Sequence, residues 1–142
     1  QRGEGEWDLA DKAGFYLSRP FFSADYAHML TAADLVLSRA GAGSIWEMGI
    51  MRKPAILLPL DGGSRGDQIR NAAFCEKAGA ALVLPQEEPA LPFIAFLKDV
   101  SGQDAARLGA MAQAWERIIN ADGASRVAAV IREVLDGQPE SL

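Results

Sequence analysis

A single cysteine, Cys75, occurs among the 142 residues, so no internal disulfide can staple this chain. Lying in a helical pattern, it reads as a buried structural thiol. Histidine is equally scarce: His28 stands alone, in a helical stretch with no serine or carboxylate pattern around it, which leaves little basis for a catalytic role. His, Cys, Asp and Glu nowhere cluster as metal ligands do, and no nucleophile and base pair stands out. No catalytic residue, metal site or cofactor is therefore expected within the chain. Long apolar runs are missing too. Nothing approaches the roughly 18 uninterrupted apolar residues of a membrane span, and the opening QRGEGEWDLADK has no signal-peptide core, so a cytoplasmic setting is expected. Positive charge is in deficit, with a formal net charge of −5. Nucleic-acid binders collect Lys and Arg on one face to release counterions, and this chain does not, which excludes that class.

What is present is a folding chain: hydrophobic residues make up 49% and charged residues 23%, enough for one domain with a core. The first residue is not an initiator methionine and falls in loop-like sequence, so residues 1–142 are expected to be one domain cut from a longer protein. Residues 1–12 read as a loose lead-in. Short apolar runs at 15–17, 35–38, 55–58 and 81–84 read as strands. Helical periods are expected at 23–33 with Ser23 as cap and Tyr26, Met29, Leu30 and Ala33 on one face, and at 68–77 with Asp67 as cap. In the latter, Ile69, Ala72, Ala73 and Cys75 or Glu76 would face inwards and Gly79 would end the helix. Further helices are expected at 91–100, 103–120 and 125–135. Strands alternating with helices predict an α/β fold, a Rossmann-like parallel sheet with helices on both faces. The loop at 59–66, PLDGGSRG, is expected to be mobile.

In such a sheet ligands bind beyond the carboxyl ends of the strands, and the polar candidates fall there. The stretch ADLVLSRAGAGSIWEMGIM, residues 33–51, runs from strand through a turn with Gly41 and Gly43 into a helix. Ser44 followed by Glu47 reads as a capping box. The free N–H groups and positive dipole of such a helix end suit a phosphate. Two glycines alone equally suit a tight turn, and neither a Walker lysine nor a full dinucleotide fingerprint is present. Glu47 can serve the cap or accept hydrogen bonds from a ribose diol. Gln68 and Asn71, three apart near a helix start, can meet sugar hydroxyls or simply face water. Of Phe21 and Phe22, adjacent in a loop, one can pack in the core while the other stacks on a base.

Residues 33–86 carry, in order, AD-x-V-x-x-R-x-G, an early helical glutamate, P-A-x-x-x-P, D-Q-x-x-N-A and E-K-A-G-A-A. That series resembles the C-terminal, nucleotide-sugar-binding domain of the MurG-type glycosyltransferases, family 28 of the GT-B fold. It covers about 55 residues strongly, and the chain from Phe15 more loosely. The resemblance implies a site for UDP-N-acetylglucosamine or UDP. Glu47 would hold the ribose hydroxyls, and Gln68 and Asn71 would reach the donor sugar. The loop of Arg39, Gly41, Ala42, Gly43 and Ser44 would lie near the diphosphate, and Phe22 and Ser23 would line the uracil pocket. It implies an inverting transfer of N-acetylglucosamine to a lipid-linked acceptor, lipid I to lipid II of peptidoglycan, with the acceptor and the base held by an N-terminal domain that this sequence lacks. Such an enzyme would sit peripherally at the cytoplasmic membrane face, and the chain alone would be inactive. Asp67 replaces the family's usual second glutamine, Ala40, Ala42 and Gly43 replace its loop residues, and the G-G-S-x-G loop that opens the domain is missing. The alternatives are another family 28 enzyme or separate catalytic subunit with a different acceptor, and a non-catalytic nucleotide-sugar-binding protein.

Overall fold

The computed structural model describes residues 21–60, 65–101 and 105–137. The chain divides into two compact units, Gln1–Ala33 and Asp34–Leu142. The expected lead-in, the strand at 15–17 and the tip of the loop at 61–64 lie outside the described residues.

In the first unit α1 spans Tyr26–Ala32. It starts later than Ser23. Asp25 is the N-cap, without a side-chain cap bond, and its carbonyl accepts the Met29 N–H at 3.0 Å. The Ser23 carbonyl accepts the Tyr26 N–H at 3.2 Å, which makes a preceding turn rather than a cap. Of the face expected to be buried, Leu30 is covered, while Tyr26 and Met29 are exposed.

The second unit carries the sheet. Strands β1 (Val36–Ser38), β2 (Ala55–Leu57) and β3 (Ala81–Val83) run parallel in that order, with Leu37 level with Ile56 and Ile56 with Leu82. Side chains alternate across a strand, so β2, buried along its whole length, feeds two cores. Ala55 and Leu57 pack with Ile45 and Met48 of α2 (Ala42–Ile50), and with Ala72 and Cys75 of α3 (Asp67–Lys77). Ile56 points the other way, to Phe96 of α4 (Ala90–Ser101) and Met111 of α5 (Ala105–Ala114). Helices thus cover both faces, as the alternation of elements predicts. The expected helix at 103–120, whose first two residues lie outside the described residues, is broken: α5 ends at Ala114 and a 3-10 turn follows at Trp115–Arg117, while α6, at Gly123–Asp136, is the helix expected at 125–135. Trp115 is the reason for the break. It is fully buried in the first core, and its indole N–H donates to the Lys53 carbonyl at 2.7 Å. Among the described residues no helix is long and apolar enough to cross a membrane.

Two glycines shape this packing differently. Gly79 has a φ of +81° and ends α3: its N–H reaches the Glu76 carbonyl at 2.8 Å and the Ala80 N–H reaches that of Cys75 at 3.0 Å, a left-handed helix stop that favours glycine. Gly49 is needed for space. A Cβ there would lie 2.2 Å from Ile119 Cγ1 and 3.1 Å from Trp115 Cε3. Gly49→Ala is therefore expected to cost about 1–3 kcal/mol through overpacking, read as a lower urea midpoint at unchanged slope.

The inward face of α3 is rotated from the expected one. Ala72 and Cys75 are buried, but Ile69 and Ala73 are exposed and Gln68 and Asn71 are half-buried. Positions 68, 71, 72 and 75 make one helical stripe, so the stripe that faces inwards has a polar end. Cys75 is buried as expected, and burial pushes its thiol up from 9.0 to about 11. The folded state then holds its proton where the unfolded chain releases it. Stability is full below pH 9 and falls as pH rises towards 11, by about 1.4 kcal/mol per unit from this group. Cys75→Ala is expected to flatten that part of the pH–stability profile.

Candidate functional site

Beyond the carboxyl ends of the strands, β1 gives way to Arg39 and Ala40, β2 to Leu58, Pro59 and Leu60, and β3 to Leu84, Pro85 and Gln86. Helix α2 rises from this edge. Its N-cap is Gly41, with φ −69° and ψ 143° and no side-chain cap bond, and the first helical bond runs from the Ile45 N–H to the Gly41 carbonyl at 3.0 Å. The N–H groups of Ala42, Gly43 and Ser44 precede that bond, and the first turn carries no acidic residue. A helix start of this kind carries a partial positive charge.

The expected capping box does not form. Because the helix starts at Ala42, Ser44 is its third residue and Glu47 its sixth. The S-x-x-E pattern is also an i,i+3 pair inside any helix, so the letters do not set the register. Glu47 stands on the exposed side of α2, one turn above Gly43 and Ser44. Neither Gly41 nor Gly43 has a positive φ, and a Cβ on either would meet no described atom within 4 Å. Backbone conformation and packing among the described residues therefore do not demand glycine at these places. Among the described residues, the space beside both is open.

Side chains tie this edge together. Arg39 Nη1 donates to the Leu58 carbonyl at 3.0 Å. Asn71 Nδ2 donates to the Ala40 carbonyl at 3.1 Å, and the Leu60 N–H donates to Gln68 Oε1 at 3.0 Å. Because each partner is a backbone group of fixed polarity, the amides have one orientation: Gln68 turns its NH2 away from Leu60, and Asn71 turns its carbonyl away from Ala40. The reading of these two as merely solvated residues is overturned. Asp67 is the first residue of α3 rather than its cap, a place taken by Gly66 at φ +77°. Its carboxylate pairs with Arg70, so the charge introduced there has a counter-ion one turn along.

Arg39, Gly41, Ala42, Gly43, Ser44, Glu47, Gln68 and Asn71 thus lie in the unit Asp34–Leu142, along the carboxyl edge of β1 and β2 and the first two turns of α2 and α3. Phe22 and Ser23 belong to the unit Gln1–Ala33, just before α1. Phe22 is half-buried there, Ser23 is exposed, and Phe21 is 70% exposed. Among the described residues no group of three or more His, Cys, Asp or Glu is placed to hold a metal ion. Sequence reasoning passed over Gln86, whose amide donates to the Pro59 carbonyl. A polar residue just past a buried strand, at the edge where the other candidates gather, was the available signal.

Comparison with known proteins agrees with this geometry. Residues 10–114 match the glycosyltransferase family 28 C-terminal domain. The UDP-N-acetylglucosamine–N-acetylmuramyl-(pentapeptide) pyrophosphoryl-undecaprenol N-acetylglucosamine transferase of Treponema pallidum (strain Nichols) is 44% identical over 101 residues, 70% of this chain and 26% of that protein. The like-named transferase of Treponema denticola is 38% identical over 136 residues, 89% of this chain and 34% of its own length. That of Geobacillus kaustophilus is 46% identical over 89 residues, 61% of this chain and 25% of its own. The chain therefore spans between a quarter and about a third of the curated relatives it matches. On the extent of the family match and the parallel sheet that carries it, the chain belongs to the glycosyltransferase family 28 C-terminal domain, of the MurG type.

Proposed function

We propose that this chain is the donor-binding domain of an inverting glycosyltransferase that moves N-acetylglucosamine from UDP-N-acetylglucosamine to a lipid-linked acceptor, lipid I to lipid II. The observation that carries the reading is the start of α2, where the N-cap Gly41 makes no side-chain cap bond, no described atom crowds Gly41 or Gly43, and Glu47 stands on the exposed side. The diphosphate sits against the N–H groups of residues 42–44, and Glu47 accepts the two ribose hydroxyls. Gln68 and Asn71, held in opposite polarity, meet the sugar. As the acceptor oxygen attacks the anomeric carbon and loses its proton, the bond to UDP breaks and its electrons pass to the departing diphosphate. Preorganised N–H groups at the helix end stabilise that growing charge. The base and the acceptor are supplied by an N-terminal domain at the cytoplasmic membrane face. The catalytic step therefore needs more than this chain, which supplies grip on the leaving group.

Calorimetric titration with UDP and with UDP-N-acetylglucosamine tests this directly. Saturable binding of both is expected. A folded chain that binds neither up to millimolar nucleotide would sink the proposal.

A further inference from the structure

The Pro59–Leu60 peptide is held from both sides. Its carbonyl accepts from Gln86 Nε2, and its N–H donates to Gln68 Oε1 at 3.0 Å. The residue before it is held as well, because the Leu58 carbonyl accepts from Arg39 Nη1 at 3.0 Å. Consecutive backbone groups beyond β2 are thus gripped by side chains from the ends of β1 and β3 and from the start of α3. Gln86 is carried to its place by the sheet, since the Leu84 N–H continues the pairing by donating to the Leu57 carbonyl at 2.9 Å. A peptide plane gripped at its carbonyl cannot rotate freely. Its N–H then points along a fixed line, and the Gln68 amide must follow.

We infer that Gln86 is a positioning residue of the donor site: by clamping the Pro59–Leu60 peptide it fixes the orientation of the Gln68 amide, and with it the discrimination of the donor sugar. This rests on the donor-binding reading above. Gln86 need not touch the ligand. Its effect is confined to the sugar half of the site, because the nucleotide half is built on α2 and Glu47.

The test measures UDP and UDP-N-acetylglucosamine affinities for the 142-residue chain and for its Gln86→Leu, Gln68→Leu and doubly substituted forms. Gln86→Leu is expected to weaken UDP-N-acetylglucosamine by about five- to tenfold, the worth of one hydrogen bond, while UDP binds as before. The double variant is expected to be no worse than Gln68→Leu alone, since both changes break one path. Gln86→Lys, which keeps a donor for the Pro59 carbonyl, is expected to restore the preference for the sugar nucleotide, and if the leucine variant fails to fold, Gln86→Glu, which keeps the length and loses the donor, is expected to show the same selective loss. An unchanged ratio of the two affinities in Gln86→Leu, fully additive losses in the double variant, or no rescue by lysine would each overturn the inference. If the unsubstituted chain bound neither ligand, the donor-binding reading itself would fall, a result distinct from all of these.

Discussion

Trp115→Ala is expected to lower the stability of the chain by about 3–5 kcal/mol, a large part of what holds a domain of this size together. The indole is fully buried, and it packs where α2 meets the first core, against the gap that Gly49 leaves open. Removing it opens a cavity that short elements cannot close. It also strands the Lys53 carbonyl, which accepts the indole N–H at 2.7 Å, just before β2 enters the sheet. Trp115→Phe separates the two effects. It keeps most of the volume and forfeits the hydrogen bond, at an expected cost nearer 1–2 kcal/mol. Urea titration of both variants reads the difference, and equal losses would show that the hydrogen bond, rather than the volume, dominates.

Glu47→Ala is expected to weaken UDP binding by about ten- to a hundredfold, the worth of hydrogen bonds to a charged acceptor. The structure removes one confounding contribution. Had Ser44 and Glu47 formed a capping box, the same substitution would also have removed a helix cap worth about 1 kcal/mol. With Gly41 as the cap, that contribution is absent. Paired calorimetry and thermal melts settle it: unchanged UDP affinity would remove Glu47 from the site.

The fold was open to reading because it rests on long-range regularities. The run at 55–58 is apolar at every position, so it had to be buried on both faces, and Pro54 and Pro59 limit it. The alternation with helices then left a parallel sheet as the economical arrangement. Helix phase was harder to read. In α3 the letters favoured Ile69 and Ala73 as core, because hydrophobicity was the guide. The folded chain instead turns Gln68 and Asn71 inwards, since each finds a backbone partner at the sheet edge. Polar burial of that kind depends on where other loops end, which no local pattern contains. The same holds at α2, where the start is set by the extended backbone of Gly41 rather than by the Ser44 side chain. The candidate residues were nameable from sequence through their resemblance to a family. The hydrogen bonds by which Asn71, Gln68 and Gln86 fasten the loops at the sheet edge join separate segments of the chain, and no local pattern contains them.

The one sulfhydryl in this chain has a practical consequence. Cys75 lies fully covered between α3 and the sheet, so an alkylating reagent reaches it only in the fraction of time that this layer swings open. Under conditions where closing outruns modification, the ratio of its labelling rate to that of a small free thiol is the equilibrium constant for that opening. The protein therefore carries its own clock for core breathing, in the helix whose first two turns bear Gln68 and Asn71. A donor that grips those residues should slow the clock by the factor its binding free energy dictates. Occupancy of the site could then be timed chemically, without a label and without turnover.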